Sequence, residues 1–132
     1  MADTITVLDT SSHDSGTQTL QSDKVKGDAY FGATDGLHTL MIDLNGFIGT
    51  IKIQISLEDD PTATDWSDGD LSEGKFTIDT TGLVADIVEN SLTYAVAETS
   101  MKSYNITGNF VWLRADVSNW TAGTIQRIQL NR

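Results

Sequence analysis

"GFIGTIKIQISLEDDPTATDW", residues 46–66, changes character at its middle. Phe47, Ile51, Ile53, Ile55 and Leu57 share one parity, Ile48, Thr50, Lys52, Gln54 and Ser56 the other, and only Gly49 interrupts the apolar set. Successive side chains of a strand point to opposite faces, so this period of two describes a strand with one face on a core. The second half gathers Glu58, Asp59, Asp60 and Asp65, the chain's single proline, Pro61, and Trp66. The strand decides the fold class. Whether the acidic half is a cation site or a loop that the strand delivers to the surface is a separate question.

Upstream, "LHTLMIDL" places Leu40, Ile42 and Leu44 on one face, and Asn45-Gly46 favours the positive φ of a tight turn, so residues 37–57 read as a hairpin. Downstream, "FVWLRADV" carries Val111, Leu113, Ala115 and Val117 on one face and Phe110, Trp112, Arg114 and Asp116 on the other. Both faces begin apolar, which predicts a central strand. The turn "SNWTAG" then leads into "TIQRIQLNR", a second hairpin in which Ile125 is out of phase with Ile128 and Leu130, a mismatch that a β-bulge reconciles. Shorter strands are predicted at residues 5–8, 75–79 and 102–106. Residues 83–98, "LVADIVENSLTYAVAE", have partly helical spacing interrupted by Thr and Tyr, and leave room for one short helix. Several short strands with frequent turn signals describe an all-β, antiparallel β-sandwich or barrel.

The 132 residues suit one domain with its own core. No cysteine is present, which excludes disulfides and thiolate metal sites. Nineteen acids against eight Lys and Arg leave a net charge of −11, with no basic cluster. Such a surface repels phosphate backbones and anionic membranes, so neither nucleic acid nor membrane is an expected partner. The opening "MADTITVLDTSSHDSG" has no basic region followed by an apolar run, and no stretch approaches the ~20 apolar residues of a membrane span. Synthesis in a cytoplasm is the expectation. The polar residues 9–28 set residues 1–23 apart as an N-terminal arm or edge segment, expected to order against a neighbouring subunit or another protein, with residues 24–132 as the domain.

Three blocks in order, "VKGDAYFGATDGLHTL", "GFIGTIKIQISLEDDPTATDW" and "YNITGNFVWLRADVSNWTAGTIQRIQLNR", resemble the small β-sandwich modules of virion structural proteins in tailed bacteriophages. Those modules share an alternating Gly-Thr strand, a turn before a tryptophan, and a late Gly-aromatic-Val-aromatic-Arg strand followed by Thr-x-Gly-Thr-Ile. The resemblance covers residues 24–132. It departs at the turn before Trp66, which is short in many such modules and here is the longer "EDDPTATD". The resemblance implies a sandwich of jelly-roll type and a non-enzymatic part of a phage particle, synthesised in the host cytoplasm and located in the virion.

Residues 58–73 hold seven acids and no Lys or Arg. Calcium would relieve such crowding, and Asp65, Asp68, Asp70 and Glu73 are its candidate ligands. The order of acids in "DWSDGDLSE" is not that of an EF-hand, so a solvated loop is preferred and no cofactor is expected. Trp66, Trp112 and Trp120 each bury enough surface to be core or subunit interface, with a sugar-stacking platform as the sharper alternative. Phe110, Trp112 and Arg114 are the expected contact surface between subunits, because the opposite face of their strand already supplies the core. Residues 83–98 or a partner would have to cover that second face. His13 sits among Ser and Asp in a polar segment and His38 is assigned to the solvent face of its strand, which offers no catalytic triad.

The expectation is therefore a capsid decoration or cement protein acting as a homo-oligomer on other virion proteins such as the major capsid protein. A neck, tail or fibre component is the alternative within that class. A carbohydrate-binding module for host surface glycans is the alternative from another class.

Overall fold

The computed structural model describes residues 4–11, 13, 18–32, 36–78 and 84–131, with side chains outside 72–89. Residues 37–57 are not a hairpin. Leu37–Ser56 is one strand, β4, following β1 (Thr4–Asp9), β2 (Gln18–Gln21), β3 (Val25–Lys26) and a 3-10 turn at Asp28–Phe31. After it come β5 (Ser67–Asp68), β6 (Leu71–Ile78), β7 (Val84–Glu89), β8 (Leu92–Thr107) and β9 (Trp112–Asn131). Every pairing among the described residues is antiparallel, so the chain is all-β. The sheet runs β1-β9-β4-β8-β6-β7, with β2 and β3 also on β9 and β5 on β4.

Asn45-Gly46 has the backbone that its sequence demands, with Gly46 at φ 65°, but spends it on a bulge. The register shifts there, and the buried parity of β4 switches from Leu40, Ile42 and Leu44 to Phe47, Ile51 and Ile53. One extra residue thus keeps both apolar stretches facing inward. The expected second hairpin is likewise a single strand. In β9, positive φ at Asn119 and Gly123 bends the chain without reversing it, and each half of β9 pairs with a half of β4. The expected bulge at Ile125 is present: Asp43 faces Arg127 and Leu44 faces Ile125, so Gln126 is the residue without an opposite. β9 is central, as its two faces predicted.

Twenty extended residues span about 66 Å, whereas a chain of this length packs to a radius of gyration of about 14 Å. Strands so long must fold over. The His38 ring, near the start of β4, stacks on Phe110 with centroids 4.2 Å apart, while Val111 N–H donates to the Ser56 carbonyl at the end of β4 at 2.9 Å. Both ends of β4 therefore meet at residues 108–111, and the two halves of the sheet enclose one core. Among the described residues, six of the twenty buried hydrophobic ones come from β4 and seven from β9, so these two strands form its axis.

Three expectations change. Residues 84–89 and 92–98 are strands, and the short helix is absent, because β8 pairs along β4 and ladder hydrogen bonds outweigh a partial helical period; Leu83 lies outside the described residues. Of the two alternatives for residues 1–23, the described part is an edge: β1 and β2 lie on β9 of the same chain, with Val7 and Leu8 buried in the core. His38 is buried, not solvent-facing, since it shares the parity of Leu40, Ile42 and Leu44.

Candidate functional site

β3 pairs with the start of β9, Val25 opposite Leu113 and Lys26 opposite Trp112. Leu113 is fully buried and Val25 packs against the core, so alternation turns Lys24, Lys26, Trp112 and Arg114 outward. Phe110 does not join them. It precedes β9 in the 108–111 turn, where the chain is not extended, and it is fully buried against His38. His38 is held in turn by the Asp28 N–H, which donates to Nε2 at 3.2 Å, and the Asp28 carboxylate lies 3.7 Å from the same nitrogen.

Trp112 is half-buried within its own chain. Its Nε1–H donates to the Asp59 carbonyl at 2.9 Å, the Lys24 ammonium lies 4.5 Å from the ring centroid, and Tyr30 packs edge-on at 5.1 Å. Arg114 donates from Nε to the Gln54 side chain at 2.9 Å, and its guanidinium lies 4.3 Å from the centre of the Trp66 ring. Gln54 continues to Asp68, which also receives Lys52 at 3.4 Å. The outer face is therefore covered by the chain's own acidic loop, by Lys24 and by Tyr30. This answers the question posed by residues 46–66: the acidic half folds back over the strand's outer face.

The loop's carboxylates are spread among separate tasks. Asp65 accepts from Thr62 N–H at 2.7 Å and from the Thr62 hydroxyl at 2.9 Å, and these two bonds hold its carboxyl below the usual carboxylate range. Asp68 serves Lys52 and Gln54, Asp70 is exposed, and the Glu73 side chain lies outside the described residues. Among the described residues no three His, Asp or Glu converge on a point that could hold a metal ion. His13 bonds the Ile125 carbonyl at 2.9 Å and packs on Trp120 at 4.5 Å, a structural role at the bend of β9. Trp120 is core, with Nε1–H donating to Gly123 O at 2.9 Å.

What remains uncovered is concentrated at one end. Segment 108–111 collects four strand and turn termini: Gly27 N–H donates to Val111 O, Ala29 N–H to Phe110 O, Gly108 N–H to Gly36 O and Val111 N–H to Ser56 O. The residues immediately beyond those anchors point outward. Tyr30 is 45% exposed, Phe31 57%, Leu37 67% and Leu57 72%, four of the six exposed large hydrophobic residues among those described. The Lys26 ammonium lies 4.4 Å from the Tyr30 ring centre and 5.9 Å from that of Phe31. Beside Leu57 a cleft of about 350 Å³ opens between Glu58, Asp65, Asn109 and Phe110. Neither a strand period nor a helix period in "GDAYFGATDG" points to Tyr30 and Phe31. The available signal was two adjacent aromatics in a segment with no apolar period to bury them.

Comparison with family models, with curated proteins and with solved structures finds no match to this chain.

Proposed function

We propose that this chain is a non-enzymatic structural component of a tailed-bacteriophage particle, a decoration or cement protein that binds the capsid as an oligomer. The resemblance of residues 24–132 to small virion sandwich modules motivates the reading. The observation that carries it is the cluster of Tyr30, Phe31, Leu37 and Leu57 at one end, since apolar side chains gathered in one place rather than scattered singly are what an assembly surface requires. The contact surface thereby moves from Phe110, Trp112 and Arg114 to the neighbouring turn. Trp112 supports it from beneath through Tyr30, and Phe110 supports it from inside. Within the same class, a neck, tail or fibre component would use the same end against a different virion protein.

A carbohydrate-binding module is the second reading, favoured by the exposure of Tyr30 and Phe31, whose faces offer stacking area to a sugar. One experiment separates the readings. Purified protein is mixed with capsids assembled without it, sedimented, and compared with the Tyr30→Ser/Phe31→Ser variant, whose folding is checked by its unfolding transition. The parent should co-sediment and the folded variant should not. A parent that stays in the supernatant but binds host-surface glycans through the same two residues would establish the carbohydrate reading instead.

A further inference from the structure

We infer that the cleft beside Leu57 is a seat for an arginine side chain of a protein partner; this rests on the reading above for the partner's place at this end and names the chemistry that the partner presents there.

The cleft, of about 350 Å³, is mixed in character. Ile55 and Leu57 give it an apolar wall, and Leu57 also belongs to the exposed cluster of Tyr30, Phe31 and Leu37. Glu58 and Asp65 give it carboxylates, and no described Lys or Arg lines it. These two acids differ from others of the same loop. Asp60 meets Lys24 and Asp68 meets Lys52, each at 3.4 Å, whereas among the described residues Glu58 and Asp65 have no cation within ion-pair distance. Both Thr62 bonds to Asp65 end on Oδ2, at 2.7 and 2.9 Å, which leaves Oδ1 to accept from elsewhere. The cleft is also built in advance. Ser56 is buried, its hydroxyl oxygen accepts from Glu58 N–H at 3.2 Å, and its carbonyl accepts from Val111 N–H at 2.9 Å, so little ordering remains to be done on binding.

Carboxylates beside an apolar wall select among cations. Calcium takes six to eight oxygens and gains nothing from Ile55 or Leu57, and among the described residues no three acids converge on a point. An ammonium is a strongly hydrated point charge, which the apolar wall would strip of water without replacing it. A guanidinium is planar and weakly hydrated, offers five N–H donors and no acceptor, and rides on an aliphatic stem that packs on apolar surface. The chain's net charge of −11 draws such a group in before contact and turns an acidic one away.

The test uses the full chain and Nα-acetylarginine amide at millimolar concentration, followed through the backbone amide resonances of residues 56–58, 65–67 and 108–110. The probe should shift these resonances saturably. Nα-acetylcitrulline amide, nearly the same in shape but without the charge, should bind about tenfold more weakly or worse. Glu58→Gln and, separately, Asp65→Asn, each shown to be folded by its unfolding transition, should weaken the arginine probe several-fold. Asp70→Asn removes an exposed carboxylate that does not line the cleft and should leave binding unchanged. Resonances that do not move, citrulline that binds as well as arginine, or an Asp70→Asn loss equal to that of Glu58→Gln would each overturn the inference. Sedimentation with capsids is read separately. A parent that binds the probe but ignores capsids overturns the particle role and leaves the arginine seat standing, whereas a parent that co-sediments although its cleft ignores the probe does the reverse.

Discussion

His38 and Phe110 show how much one parity assignment carries. His38 belongs by count to the inward set of β4, and its burial follows once Leu40 and Ile42 are placed; a polar side chain at such a position is tolerated because the Asp28 N–H donates to its Nε2. Phe110 points outward only if the alternation of β9, which begins at Trp112, is extended two residues too far. Its backbone carbonyl receives Ala29 N–H, and its ring fills the space beside His38, where even a Cβ on Gly27 would collide with it. Phe110→Ala should therefore cost about 3–5 kcal/mol, the range for emptying a buried aromatic site, read from denaturant unfolding. A cost under about 1 kcal/mol would mean that the ring belongs to the outer surface after all.

At the scale of elements, the deciding feature is the crossing of β4 and β9 at their bends. Gly46 and Gly123 lie back to back, and a Cβ on Gly123 would land on the Gly46 carbonyl carbon and oxygen. The backbones approach this closely only because position 123 carries no side chain, whereas a Cβ on Gly46 would meet nothing nearer than 4.0 Å. Gly123→Ala meets both this collision and a positive φ of 76°, and should cost roughly 3 kcal/mol or more. Gly32→Ala supplies the control: its φ is 77° with nothing within 4 Å of the added carbon, so it should cost only about 1–2 kcal/mol. Equal costs in thermal or chemical unfolding would show that conformation alone, not the crossing, governs position 123. The positive φ of Gly46 was legible in Asn-Gly. That it bends a strand rather than closing a hairpin was not, because the choice depends on a matching bend in β9, which is distant in sequence.

For the whole molecule, the N-terminal strand is part of the body. β1 puts Val7 and Leu8 into the core, each contributing about 1.5–3 kcal/mol of burial, against a total stability of about 5–15 kcal/mol for an ordinary domain. Deleting residues 1–11 should lower the melting temperature by about ten degrees or more, since a kcal/mol shifts it by roughly 4–8 °C in domains of 60–100 residues and roughly 2–4 °C in those of 150–250, and this chain lies between. A truncated protein with unchanged melting would return these residues to the status of a detachable arm. Sequence alone determined the all-β class, the inward residues along most of both long strands, the bulge at Ile125 and the acidity that disfavours nucleic acid, because each depends on neighbours two residues apart or on a sum over the chain. Only the tertiary structure decided that two apparent hairpins are two bent strands, that the acidic loop roofs Trp112, and that Tyr30, Phe31, Leu37 and Leu57 share one end. Those facts depend on which distant segments meet at residues 108–111, and a local period of two carries no information about how a sheet is bent.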